Sequence, residues 1–252
     1  MNGPALECRF GVRYHEVDRE GAVRLPVVMT WLQDAGIEHA TELGVAVRDL
    51  GKLGLTWVLS RLTLELEQYP RGGQQVLVRT WPVTRDGRFS IRDYQLLDAA
   101  GQQIGQATTS WAVLDLKTRR PVTISDHLPP YPLRPLRALA DPFATLPMLK
   151  QCSSALELPV LRADLDPNRH VNNTVYAGWA LEAVPAEIAD TCRVTRLEIG
   201  FRAEALYGDT IRSCCAPLPD DPQTLLHRIE HAADGRELCR LRTSWQQTTK
   251  TG

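Results

Sequence analysis

The sequence predicts an α+β protein built from two copies of one unit, each a helix followed by an antiparallel sheet. Three observations carry this reading. Trp31 matches Trp179 at an offset of 148, Arg61-Leu62 and Gly73 match Arg196-Leu197 and Gly208 at 135, and the Thr-Ser-Trp ending at Trp111 matches Thr243-Ser244-Trp245 at 134. Apolar periodicity then changes from strand to helix to strands in the same order in both halves. Between the halves, Asp126 to Lys150 holds six of the 17 prolines, which suits neither a helix interior nor a central strand and reads as a semi-rigid linker.

In the first half Leu6, Cys8, Phe10 and Val12 alternate as in a strand with one covered face. Val28, Trp31, Leu32, Ala35, His39 and Leu43 follow the three-and-four spacing of a helical face. Leu62, Leu64 and Leu66 return to strand alternation, and further strands are expected near Gln75 to Val83, Phe89 to Leu97 and Ile104 to Leu114. The second half repeats them near Ile211, Leu225 and Leu238. The fall in offset from 148 to 135 means about 13 extra residues in the first half, expected as a surface insertion within Thr41 to Leu55. The expected organisation is a domain over 1–125, a linker over 126–150 and a second domain over 151–252.

With 252 residues, 43% of them apolar, the chain can bury a core. Its 29 basic and 30 acidic residues leave no net field to hold nucleic acid. No apolar run approaches the length of a membrane span, and Met1 to Phe10 lacks the charged start and apolar run of a secretion signal, so a cytoplasmic location is expected. The six cysteines lack C-x-x-C spacing and are expected as thiols, with no metal site. G-x-S-x-G, the P-loop, H-E-x-x-H and G-x-G-x-x-G are all missing from the sequence.

The chemistry concentrates in DLDPNRHVNNTVYAGWALEAVP, Asp164 to Pro185. Asp166, Asn168 and His170 stand at alternate positions, so an extended loop would point a carboxylate, an amide and an imidazole to one side. Asn172 or Asn173 can cap the following helix, whose first N–H groups offer an oxyanion site. Turn formation around Pro167 explains Asp166 and Asn168 equally well. The first repeat argues for more than a turn: at offset 148 the counterparts are Asp18, Glu20 and Ala22, and at 135 Glu204 faces Tyr69. The amide, the imidazole and the acid at 204 occur in one copy only, which points to one functional site, in the second half.

From Asp164 to Trp179, DLDPNRHVNNTVYAGW resembles the signature block of the acyl-ACP thioesterases, and the resemblance extends to YHEVDREGAV at Tyr14, TWVLSRLTLELEQYP at Thr56 and SWAVLDLKTRRPV at Ser110. It implies a tandem (double) hotdog, two antiparallel sheets each wrapped around a central helix. It also implies hydrolysis of the thioester of a fatty acyl chain on acyl carrier protein, without a cofactor. The family's catalytic set falls on Asp166, Asn168, His170 and Glu204. Glu204 would orient or deprotonate the attacking water with Asn168 and His170 completing the hydrogen-bond network, Asp166 would orient His170 or its neighbours or instead act as a covalent nucleophile, and backbone donors near Val171 to Asn173 would hold the oxyanion. Plant members carry a cysteine directly after the glutamate; here Ala205 stands there, so thiolate attack is not available at that place.

The resemblance further implies that the first half lines the acyl tunnel, with Trp31, Trp57 and Met29 as conceivable size gates, although core packing explains each of them too. Lys117, Arg119, Arg120, Arg134 and Arg137 make the linker approach basic, which would aid docking of an acidic carrier. An acyl-CoA thioesterase of the same fold, a hotdog dehydratase and a non-catalytic acyl-binding module are the rivals, and assembly as a homodimer stays open.

Overall fold

The repeat offset reappears in three dimensions in the computed structural model, which describes residues 3–248. In the first unit, which ends at Phe143, β1 (Leu6–Gly11) leads through a 3-10 turn at Tyr14–Glu16 into α1 (Leu25–Glu42) and the short α2 (Val47–Gly51). Four long strands follow: β2 (Leu55–Leu66), β3 (Gln75–Thr84), β4 (Phe89–Leu97) and β5 (Gln103–Asp115), then one turn of helix, α3 (Ile124–His127). The strands run in the order β1-β3-β4-β5-β2, every neighbour antiparallel. The second unit, from Ala144, repeats this with β6 (Ser154–Pro159), a 3-10 turn at Arg162–Asp164, α4 (Asn173–Glu182), α5 (Ala186–Ala189), β7 (Cys192–Phe201), β8 (Thr210–Leu218), β9 (Asp221–His231) and β10 (Glu237–Gln247). Its order is β6-β8-β9-β10-β7, the same arrangement, again antiparallel.

Each helix forms because an apolar stripe needs a sheet to cover it. Leu25, Val28, Met29, Trp31, Leu32, Ala35 and His39 are buried on α1, which packs against β1 and β3. Pro26 in its first turn lacks an N–H that would have had no partner there anyway. Gly36 marks the closest approach, because a methyl group in its place would lie 2.9 Å from the Tyr94 hydroxyl of β4. On α4, Tyr176, Ala177, Trp179 and Ala180 are buried, and the helix packs on β8, β9 and β10. Trp31, a conceivable tunnel gate, is itself buried and stacked on Phe10 at 5.8 Å.

One expectation gains detail and one needs correction. α1 ends at Glu42 with Leu43 as its cap, as the apolar face from Val28 to Leu43 predicts, and the short α2 lies within the Thr41 to Leu55 stretch expected to hold the extra residues. The basic approach to the linker is smaller than expected. Arg134 lies over the Trp81 ring at 5.2 Å, and Arg137 donates from Nε to the fully buried Asp93 carboxylate at 3.0 Å. Asp93 also accepts from Ala138 N at 2.7 Å and Thr108 Oγ1 at 2.5 Å, so the proline-rich segment is strapped down rather than held out in solvent. Leu128, Tyr131, Leu139, Leu146 and Leu149 of that segment are buried. Among the described residues no helix is long and apolar enough to cross a membrane, and no cluster of side chains is arranged to hold a metal ion.

Candidate active site

The loop between β6 and α4 closes on itself before any catalytic role is considered. Asp166 N donates to the His170 carbonyl at 2.8 Å, Arg169 N to the Asp166 carbonyl at 2.9 Å, and Leu165 and Val171 pair across the loop. The Asp166 carboxylate accepts from Asn168 N at 2.8 Å, from Asn168 Nδ2 at 3.3 Å and from His170 N at 3.3 Å. Arg169 is left-handed, with φ 65°. The first copy folds in the same way: Asp18 accepts from Glu20 N at 2.8 Å and Ala22 N at 3.2 Å, Val17 pairs with Val23, and Gly21 has φ 74°. The local code is an aspartate whose side chain ties down the N–H groups two and four residues on. Both copies carry it.

His170 and Glu204 are what the second copy adds. His170 forms a bridge with Leu206, and Val171 N donates to the Ala205 carbonyl at 3.1 Å, which draws the loop beside the segment following β7. Glu204 lies three positions beyond the end of β7, in the connection to β8. That connection is held at its far end by Leu206 N donating to Asp209 Oδ2 at 2.9 Å. As a result His170 Nδ1 stands 3.5 Å from Glu204 Oε1, with side-chain exposures of 30% and 39%. The separation is long for a direct hydrogen bond, and both groups stay open to a third molecule.

Of the four residues read from the sequence, then, the structure unites two pairs: His170 with Glu204, and Asp166 with Asn168. Asp166 holds the loop backbone and the Asn168 amide; none of these bonds reaches the imidazole ring. The expected oxyanion donors also narrow. Val171 N is taken by the Ala205 carbonyl and Asn172 N by the Asp164 carbonyl at 2.8 Å, leaving Asn173 N, at the first position of α4, as the one of the three not taken by a backbone acceptor. Asn172 is the cap, accepting from Thr174 N at 3.0 Å.

Tyr176 escaped the sequence reading. Its buried hydroxyl accepts from Ala205 N at 3.0 Å, and burial pushes the phenol far up, so it stays protonated. The signal was available: at offsets 148 and 135 its counterparts are Val28 for Tyr176 and Pro70 for Ala205.

The chain is similar to known proteins over nearly its whole length. The family model described as the acyl-ACP thioesterase N-terminal domain matches residues 4–129, and the one described as the acyl-ACP thioesterase C-terminal domain matches 149–247. Oleoyl-acyl carrier protein thioesterase 1 of Arabidopsis thaliana is 29% identical over 98% of this chain and 77% of its own length. An acyl-ACP thioesterase crystal structure from Bacteroides thetaiotaomicron is 26% identical, covers 96% of this chain and 98% of its own, and has a TM-score of 0.84. The 12:0-ACP thioesterase of Umbellularia californica, 24% identical with a TM-score of 0.84 over 98% of this chain and 99% of its own, shares the fold. With both family models matched in sequence order, and a helix-and-sheet hotdog in each half, the chain belongs to the acyl-ACP thioesterase family.

Proposed function

We propose that this protein hydrolyses the thioester between a fatty acyl chain and acyl carrier protein, releasing the free fatty acid and ending chain elongation. The observation that carries the residue assignment is the His170–Glu204 pair, 3.5 Å apart, half-open and found in one copy of the repeat. Glu204 takes a proton from water as the water oxygen bonds to the thioester carbon, and His170 orients Glu204 through Nδ1. Asn168 commits Nδ2 to Asp166, which leaves Oδ1 to accept from the same water. The oxyanion forms against Asn173 N at the positive end of α4. Its collapse breaks the C–S bond, and the proton passes to the departing thiolate.

Asp166 positions the loop in this scheme. Its carboxylate already accepts three donors, and Asp18 does similar work in a copy without the imidazole, so water rather than Asp166 is the nucleophile. All six cysteines are free thiols, which suits a reducing cytoplasm.

The decisive experiment is Glu204→Gln, assayed on acyl carrier protein and coenzyme A thioesters of eight to eighteen carbons side by side. Loss of a general base lowers kcat by about 10²- to 10⁴-fold. A half-exposed side chain in a connection leaves the melting temperature within a few degrees. Near-normal turnover by Glu204→Gln removes the residue from the mechanism, and faster turnover of the coenzyme A series moves the carrier assignment.

A further inference from the structure

The buried contact between Tyr176 and Ala205 is not used by the chemistry above, yet it sits directly beside Glu204. Ala205 is fully buried, and its two backbone groups point to opposite neighbours: the carbonyl accepts from Val171 N at 3.1 Å, and the N–H donates to the Tyr176 hydroxyl at 3.0 Å. One residue is therefore clamped between the histidine loop on one side and α4 on the other, and Glu204 is its chain neighbour. The Tyr176 ring has little freedom to move, since it meets Trp179 edge-on at 5.2 Å and Phe201 at 5.6 Å.

The first copy lacks both partners of the N–H side of this clamp. Pro70 stands where Ala205 does and has no N–H to satisfy; Val28 stands where Tyr176 does and has no hydroxyl; Leu66 replaces Phe201. The carbonyl side is retained, with Val23 N donating to the Pro70 carbonyl at 2.8 Å. An N–H left without a partner in that buried place would be costly, so donor and acceptor come and go as a pair. The copy that has the pair is the copy with an acid at the preceding position: Glu204 here, Tyr69 there.

We propose that Tyr176 is a positioning residue that fixes the Glu204 carboxylate opposite His170 by holding the Ala205 N–H, an inference that rests on the catalytic reading of Glu204. Tyr176→Phe keeps the ring contacts and removes only the acceptor. Assayed where all variants are fully folded, it lowers kcat by roughly tenfold, the scale of one unmet buried donor, with KM within about twofold. Two further readouts separate positioning from general loosening. In a Glu204→Gln background Tyr176→Phe costs less than about twofold, because the group it positions is already gone. Adding Ala205→Pro to Tyr176→Phe removes the stranded N–H, reproduces the arrangement of the first copy, and recovers most of the lost kcat.

Wild-type kcat in Tyr176→Phe overturns the inference while Glu204→Gln is inactive. A tenfold loss that persists in the Glu204→Gln background overturns it as well. Full activity in Glu204→Gln overturns the catalytic reading itself, and this inference with it.

Discussion

Acid should unfold this protein through two histidines that take no part in catalysis. His39 on α1 and His227 on β9 are each 1% exposed. Arg92 NH1 donates to His39 Nδ1 at 3.0 Å, so the neutral ring carries its proton on Nε2, and protonating Nδ1 would set two cations against each other. His227 Nε2 lies 2.8 Å from Thr243 Oγ1. Burial, joined by Arg92 at His39, holds both imidazoles down at about 4, against 6.5 in the unfolded chain. The unfolded state therefore binds more protons between those values. Stability is complete above pH 6.5 and falls as pH drops toward 4. Each ring removes about 2 kcal/mol by pH 5 and about 3 kcal/mol below both values, so the pair removes about 4 kcal/mol at pH 5. Guanidinium unfolding at pH 8 and pH 5 measures the loss. His39→Gln, whose amide oxygen can still accept from Arg92, and His227→Gln should each reduce it by about 2 kcal/mol. Variants that lose as much stability as the parent chain between those pH values would refute the argument. The acid side of a rate profile over the same range then reports folded fraction as well as chemistry.

Two more substitutions follow from the hydrogen bonds described above. Arg137→Ala leaves the Asp93 carboxylate buried without its cation and should cost about 3–5 kcal/mol in denaturant unfolding, so a loss below about 1 kcal/mol would show that Ala138 N and Thr108 suffice. Asp18→Ala and Asp166→Ala remove the same loop-closing carboxylate from the two copies, each lowering stability by about 1–2 kcal/mol, but only Asp166→Ala should lower kcat. An equal fall in kcat from both would mean that the two loops share the chemistry.

The sheet was readable from the sequence because each strand repeats with period two: the strand expected at Phe89 to Leu97 is β4 to the residue. The cap of α4 was narrowed by local chemistry to Asn172 or Asn173, and Asn172 serves. The extent of α1 followed from its apolar face, which runs to Leu43, the residue that caps it, whereas an offset between repeats gives the size of an insertion and not its exact place. At the site, residue types were legible and directions were not. Asp166, Asn168 and His170 alternate in sequence, but a left-handed Arg169 and the turn before it send the aspartate back onto its own backbone. Arg134 and Arg137 looked like surface charge because the composition of a segment says nothing about a buried aspartate on β4 waiting to pair with one of them.

Superposing the copies by offset shows what a hotdog half needs in order to fold and what it needs in order to react. Loop closure uses Asp18 or Asp166, a left-handed residue at Gly21 or Arg169, and a bridge to the turn after β2 or β7; both copies meet these demands. His170 and Glu204 replace Ala22 and Tyr69 at places where the backbone bonds are already made. Since the first copy folds with Ala22 and Tyr69 at these places, each can be exchanged with little consequence for the backbone. Tyr176 differs in kind, because its hydroxyl replaces nothing that folding requires unless Ala205 has an N–H to satisfy. Under the mechanism proposed above, activity should therefore depend on Tyr176 only through Ala205, and on His170 and Glu204 directly.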